Sequence, residues 1–358
     1  MNILIYLLIL IAVCGIWELT VRFGLKSLSC SRSFSRDCLF EGEECELIEA
    51  VRNDKPFIIP WLRLESKISP YLRLGNQDNL NISGEMYYCS LFTLFPYQQI
   101  RRRHRVRFLR RGAYDLGNAS LTVGDILGLH QKQRNQNLSA PILVFPRLLE
   151  QEELPAPISR MTGELPYRRQ LLQDPFLVRG IRPYQPGDPI RDIHWPATAR
   201  TGETQVRIHD YTAQTRLLVV LNVQQEDLQW QDLLPEDQEQ AVEYSISLAA
   251  TVCIRALRSG VAAGFAANMP SSDLRGESTL VLPGVGTVQE DLLLSSFARL
   301  KIRRTLEFSV FLESLTKHSG LDILVLSPYD NDCIQQKLYA LRQCGNQVTF
   351  FQFEGGSQ

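Results

Sequence analysis

The chain has 358 residues, of which 44% are hydrophobic and 22% charged, a composition that excludes a disordered polymer and leaves room for two ordinary cores. Its net charge of -1 gives no global attraction to a polyanion, and nucleic-acid binding is not expected. Beyond residue 25, Cys30, Cys38, Cys45, Cys89, Cys253, Cys333 and Cys344 are odd in number and form no C-x-x-C pair, which excludes a disulfide-stapled scaffold and argues against a zinc site.

Residues 3–17, ILIYLLILIAVCGIW, carry no charge. Extended to residue 25, the stretch approaches the roughly 20 residues of a bilayer-spanning helix. Residues 1–25 are therefore expected to form a single transmembrane anchor. A cleaved leader is the rival reading, but no basic residue precedes the apolar run and no small-x-small site follows it. Arg22, Lys26, Arg32 and Arg36 follow, with no acidic residue between Glu18 and Asp37. The positive-inside rule then places the bulk of a single-pass cell-membrane protein in the cytoplasm.

Residues 37–149 show short apolar runs divided by turn residues, such as FIIPWLRL and MYYCSLFTLF, and read as a β-sandwich-like domain. Within it, Arg103, Arg105 and Arg107 alternate with His104, Val106 and Phe108, the period of a strand with one polar face. The leading reading is a solvated face guarding an edge strand. Contact with anionic lipid headgroups is a second reading and nucleic-acid binding a third. Residues 150–176, with Pro155, Pro157, Gly163, Pro166 and Pro175, break every periodicity and read as a linker.

Residues 177–358 differ in pattern. Apolar runs at 216–223, 261–268, 279–283, 322–329 and 347–354 alternate with helical stretches at 239–260, 288–318 and 330–344. Such alternation predicts an α/β domain with a doubly wound, mostly parallel sheet. Ahead of it, residues 178–211 hold the most informative stretch. Gln185-Pro186-Gly187-Asp188 fits a tight turn. Asp188 before Pro189 predicts a helix start with Asp188 as its cap. The short helical turn should carry Arg191, His194 and Trp195, with Pro196 stopping it. Arg179, Arg182, Arg191 and Arg200 crowd Asp188, Asp192 and Trp195, which predicts an ion-paired clamp with Trp195 buried beneath it. An anion or peptide-carboxylate site made by the arginines is the alternative.

Arg182, Tyr184, Gly187, Asp188, Arg191, Ile193, Trp195, Ala199 and Arg200 resemble the signature of the domain of unknown function 58 family. Upstream, Arg111, Gly112, Tyr114, Leu116, Gly117, Asp125 and Gly128 are similar to the same family's preceding β-domain. The resemblance implies a von Willebrand factor A-like C-terminal domain and a partner that is a MoxR-type AAA+ ATPase, or for some members a membrane transglutaminase-like protein. Many members carry a pair of membrane helices, whereas only one span is legible here.

In a doubly wound sheet the ligand crevice lies at the carboxyl ends of the strands, here after Val223. A metal-binding von Willebrand A domain places Asp-x-Ser-x-Ser there; this chain has Asn222, Gln224 and Glu226. The amide and the lost hydroxyls argue against a divalent cation, so no cofactor is expected. Phosphate-loop, nucleophile-elbow and dinucleotide signatures are missing. The leading expectation is a non-enzymatic, membrane-anchored scaffold acting in envelope-protein assembly or maturation. An envelope-associated hydrolase or transferase with an unrecognised site is the alternative.

Overall fold

A computed structural model of the chain describes residues 22–75, 80–83, 85–124, 130–171, 178–186, 188–209, 216–226, 235–272, 276 and 278–353. The chain divides into two compact units, Met1–Arg147 and Leu148–Gln358. Of the expected anchor at residues 1–25, residues 1–21 lie outside the described residues, whereas 22–25 are described and belong to the first unit, with Leu25 buried in its core and Gly24 O and Leu25 O held by Lys55 and Arg134, so the anchor does not extend to residue 25. Among the described residues, no helix is long and apolar enough to cross a membrane.

From residue 28 on, the described elements of the first unit are strands: β1 (Leu28–Phe34), β2 (Cys38–Phe40), β3 (Glu44–Asn53), β4 (Ile59–Lys67), β5 (Leu72–Leu74), β6 (Leu80–Ser83), β7 (Glu85–Leu94), β8 (Gln99–Phe108), β9 (Gly112–Asp115), β10 (Asn118–Gly124), β11 (Gln131–Asn137) and β12 (Pro141–Phe145). One sheet runs β1-β3-β8-β5, a second β11-β10-β4-β7-β6 and a third β2-β12-β9. Alternate residues of β3 and β8 point inward, so Val51 and Ile100 of the first sheet pack with Leu62, Leu64, Phe92 and Leu121 of the second. Here the period-2 pattern agrees with the structure, but the edge-strand reading of the arginine stretch does not, because β8 lies between β3 and β5.

Several inward positions break the apolar rule, among them Glu49, Asn53, Ser66 and Ser90. Glu49 of β3 is buried and meets Arg32 of β1, whose Nε and Nη2 donate to Glu49 Oε1 at 3.0 and 2.7 Å. Ser90 Oγ and Tyr88 OH donate to Oε2 at 3.0 and 3.1 Å, and Tyr88 OH lies 2.8 Å from His104 Nε2. Burial by itself would raise the Glu49 carboxyl, but the bonds from His104, Arg32 and Ser90 outweigh it and hold it below the usual range.

The second unit opens with helix α1 (Ala156–Leu171), followed by β13 (Val178–Pro183), α2 (Trp195–Thr201) and β14 (Gln205–His209). Then come β15 (Arg216–Leu221), α3 (Glu236–Arg258), β16 (Ala262–Ala267), β17 (Thr279–Gly284), α4 (Thr287–Arg299), α5 (Phe308–Leu315), β18 (Asp322–Ser327), α6 (Asp332–Gln343) and β19 (Gln347–Gln352). The main sheet runs β17-β16-β15-β18-β19. It is parallel except for the edge strand β17, so the α/β expectation holds for the mixed sheet and its helices.

Both faces of this sheet are covered, which is why its strands read as unbroken apolar runs. Leu217, Val219 and Leu221 of β15 pack on the side of α3 and α4. Leu218 and Val220 pack on the side of α5 and α6. Residues 288–318, expected as one helical region, are two helices with residues 300–307 between them.

The stretch 150–176 departs from the linker expectation, since α1 occupies most of it and it belongs to the second unit. Pro157 falls in the first turn, where a missing N–H removes no helical bond. Leu149, Leu154 and Ile158 join the core beneath α3, and Thr251 Oγ1 accepts from Leu149 N at 2.9 Å.

Candidate functional site

The signature residues sit on a two-stranded antiparallel ladder, β13 with β14, and on the short α2 between them. Arg182 of β13 makes a fork-to-fork pair with Asp188, Nη1 to Oδ2 at 2.7 Å and Nη2 to Oδ1 at 2.6 Å. Asp188 Oδ2 also accepts from Gln185 N at 2.8 Å, and Asp188 N donates to Gln185 O at 3.0 Å. The guanidinium, seconded by that backbone N–H, holds the Asp188 carboxyl below the usual carboxylate range. Of the four arginines expected in the clamp, Arg182 is the one seen in a close pair with an aspartate among the described residues.

Other details of the clamp need correction. Asp188 caps no helix: Pro189 precedes a 3-10 turn at Ile190–Asp192 that has no side-chain cap. The Asp188 carboxylate instead points back to Arg182 and to Gln185 N. Helix α2 begins at Trp195 with Pro196 in its first turn, so Pro196 opens the helix and does not stop one. Its cap is His194, whose Nδ1 accepts from Ala197 N at 3.0 Å. A ring nitrogen that accepts carries no proton, so the neutral ring is protonated at Nε2.

Trp195 is also not buried beneath the clamp, being 65% exposed. Ile190 is 76%, Ile181 45% and Tyr184 41% exposed. Arg191 and Arg200 are exposed as well, and Arg191 comes only within 3.9 Å of Asp192. The 3-10 turn and α2 contribute no buried residue; Val206 and Gln205 of β14 are buried. The ladder therefore holds two charges together while turning several large apolar side chains outward. Gly187 lies outside the described residues.

The upstream motif is structural. Tyr114 OH donates to Arg110 O at 2.7 Å, and a Cβ on Gly112 (φ 157) would press the Tyr114 ring at 3.1 Å. Asp115 Oδ1 accepts from Gly117 N at 3.0 Å and Ala140 N at 2.8 Å, fixing the turn into β10. Asp125 and Gly128 lie outside the described residues.

At the switch point, Asn222 and Gln224 are fully buried and Glu226 is exposed. Asn222 Oδ1 accepts from Gln224 N at 2.9 Å and from Asn268 Nδ2 at 3.1 Å. Its Nδ2 donates to Ser327 Oγ at 3.0 Å, and that hydroxyl donates to Tyr329 O at 2.7 Å. Asn268 Oδ1 accepts from Val223 N at 2.9 Å. Gln224 bridges to Glu226 O at 2.8 Å and to Phe308 N at 3.3 Å. The carboxyl ends of β15, β16 and β18 are thus joined by a neutral amide and hydroxyl network whose members satisfy one another. Asn268 and Ser327 were not singled out in the sequence. Their signal was there, because the runs VVLN, GFAAN and LVLS each end in a short polar residue. No group of three or more His, Cys, Asp or Glu with metal-binding geometry occurs among the described residues.

Residues 180–273 match the family described as protein of unknown function DUF58, a span that holds both the signature ladder and Asn222. The chain is 21% identical over 251 residues to the uncharacterized protein YeaD of Bacillus subtilis, covering 69% of this chain and 58% of that protein. Among solved structures, the CARDB domain of a Pyrococcus furiosus protein is 16% identical, with a TM-score of 0.22 over 33% of this chain and 90% of its own. A non-cellulosomal cohesin from Archaeoglobus fulgidus is 9% identical, with a TM-score of 0.21 over 35% and 94%.

Proposed function

We propose that the chain is a membrane-tethered, non-enzymatic docking protein whose signature ladder presents Ile181, Tyr184, Ile190 and Trp195, with Arg191 and Arg200, to a protein partner. The observation that carries this reading is the exposure of Trp195 and its apolar neighbours on a ladder braced by the Arg182–Asp188 pair. Aromatic and arginine side chains presented on a rigid support are the usual anchors of protein interfaces. An exposed apolar group in contact with a polar rim marks such sites more often than it serves folding.

We read the second unit as von Willebrand factor A-like, from its strand order and its antiparallel edge strand, with the amide network standing where that fold's metal site lies. On this reading the unit engages its partner without a divalent cation. By resemblance, a MoxR-type AAA+ ATPase is the first partner to test and a membrane transglutaminase-like protein the second. The uncharged run at residues 3–17 supports a single-pass tether with the described units on the cytoplasmic side.

Affinity purification of the full chain from membranes, beside Trp195→Ala and the Arg191→Ala, Arg200→Ala pair, tests the reading. A partner captured by the wild type and lost from these folded variants is expected. Equal capture by all of them would place the docking surface elsewhere.

A further inference from the structure

In the first unit, the residues that follow the N-terminal apolar run are gripped by the sandwich. The turn at residues 22–26 ends with carbonyls that face three cations. Lys55 Nζ donates to Gly24 O at 2.5 Å and Lys26 O at 2.6 Å. Arg134 Nη1 donates to Leu25 O at 3.0 Å, and Lys132 Nζ to Arg22 O at 3.5 Å. Leu25 and Leu28 are buried in the core beside Val51 and Ile59. The entry point of the chain is therefore fixed on the domain.

The same lysine ties this entry point to the turn between β7 and β8. Tyr97 N donates to Lys55 O at 3.2 Å, and Asn53 Nδ2 donates to Phe95 O at 2.9 Å and Phe57 O at 3.0 Å. Gln98 Oε1 accepts from Phe95 N at 2.8 Å. On this braced tip Phe95 is 58% and Tyr97 69% exposed, with exposed Pro96 between them. Tyr97 has φ of 55°, a conformation in which glycine would be unstrained and a tyrosine is not. The residue there contributes a side chain at a conformational cost. Arg22, Lys26 and Arg52 are exposed around the same end.

We propose that this end of the sandwich rests on the lipid bilayer, with Phe95 and Tyr97 in the interfacial region and Arg22 and Lys26 against anionic headgroups, Arg52 being paired with Asp54 at 2.6 Å. Aromatic rings flanked by cations are what the membrane–water interface accepts, since the rings lie at headgroup depth and the cations meet the negative surface potential. Continuity selects this occupant over a protein partner, because four residues, 18–21, separate the uncharged run at 3–17 from the gripped turn. The inference rests on the tether reading. It adds that the domain is held at one orientation by a second contact and does not swing on a flexible stalk.

The test uses the full chain in cells, with the photocrosslinking residue benzoylphenylalanine placed at Phe95, at Tyr97 or, as a control, at Tyr339, which is 61% exposed in the second unit. Lipid adducts at the first two positions and none at the third are expected. Carbonate extraction of the same membranes reports separately on the tether. A chain that resists carbonate yet gives no lipid adduct at Phe95 or Tyr97, or gives protein adducts there, overturns the inference and leaves the tether standing. A chain released by carbonate that still gave lipid adducts before extraction overturns the tether and supports the bilayer contact. Loss of both results overturns both. As a companion, Phe95→Ser with Tyr97→Ser should leave carbonate resistance intact while making the residues 22–26 turn several-fold more open to protease in vesicles. Unchanged protection would count against the second contact.

Discussion

Asn222→Asp would place a carboxylate at the carboxyl end of β15, and the structure predicts that the change is harmful. Asn222 is fully buried. The new oxygen that replaces Nδ2 would face Ser327 Oγ at about the 3.0 Å now spanned by a donated hydrogen bond, and the Ser327 proton is already given to Tyr329 O. The bonds from Gln224 N and Asn268 Nδ2 already exist for the amide, so they offset little of the added charge. A carboxyl raised by about 3 pKa units under such burial corresponds, at 1.36 kcal/mol per unit, to about 4 kcal/mol at neutral pH. For a unit of this size that lowers Tm by roughly 8–16 °C. The sign follows from the raised folded-state pKa: the penalty is absent below the unfolded value, about 3.9, grows as pH rises and is complete above about 7. Near-UV circular dichroism melts at about pH 5 and about pH 7.5 should therefore show a gap from wild type that widens with pH. Millimolar magnesium should close the gap for neither protein. A variant melting with wild type at neutral pH, or a magnesium-dependent rise in wild-type Tm, would refute the closed-network argument.

Glu49→Ala should destabilise the first unit by about 3–5 kcal/mol, because Arg32 remains buried without its carboxylate; denaturant melts of Glu49→Ala beside Arg32→Met with Glu49→Leu check this, and the double variant should recover most of the loss. Trp195→Ala should change stability by no more than about 0.5 kcal/mol, as its side chain is largely exposed, while abolishing partner capture; a large drop in Tm would return Trp195 to the core. Burial and the nearby charge of Arg134 hold the Lys55 ammonium down at about 8. The unfolded chain therefore binds the extra proton up to about 10.4, and stability of the first unit should rise with pH between these values. Lys55→Met should flatten that rise, as read in urea melts across the window.

Much of the second unit was legible because a sheet covered on both faces writes itself as unbroken apolar strands separated by amphipathic helices. Leu217 through Leu221 and Ile323 through Leu326 could hardly lie elsewhere. The helix in residues 150–176 was hidden by its prolines, which mark breaks when counted but are harmless in a first turn such as that holding Pro157. The Arg32–Glu49 pair was illegible for another reason. Its partners lie 17 residues apart, and only the register that sets Arg32 against Glu49 across β1 and β3 brings them together. The clamp was readable as composition, yet its wiring depended on which arginine faced Asp188 across the turn. Arg182 does so from β13, and it draws the Asp188 carboxylate back toward that strand and Gln185 N, away from the following turn.

The error at Trp195 is the most informative of these differences, since it reverses what the clamp is for. An indole beside paired charges suggests a lid over a small core, in which the ion pair shields the apolar group. Here the ion pair joins residues six apart in sequence, and the indole is largely exposed. Set against the switch point, the contrast is chemical. At the switch point the side chains of Asn222, Asn268 and Ser327 are turned inward and bonded to one another, so the Asn222 oxygen is already committed to Gln224 N and Asn268 Nδ2. On the ladder, polar groups are satisfied internally and apolar ones are left outside. An unoccupied apolar surface gains free energy from any partner that removes it from water, whereas a satisfied amide network gains nothing from a cation. On the proposed docking reading, the driving force for binding by the second unit therefore lies on the ladder.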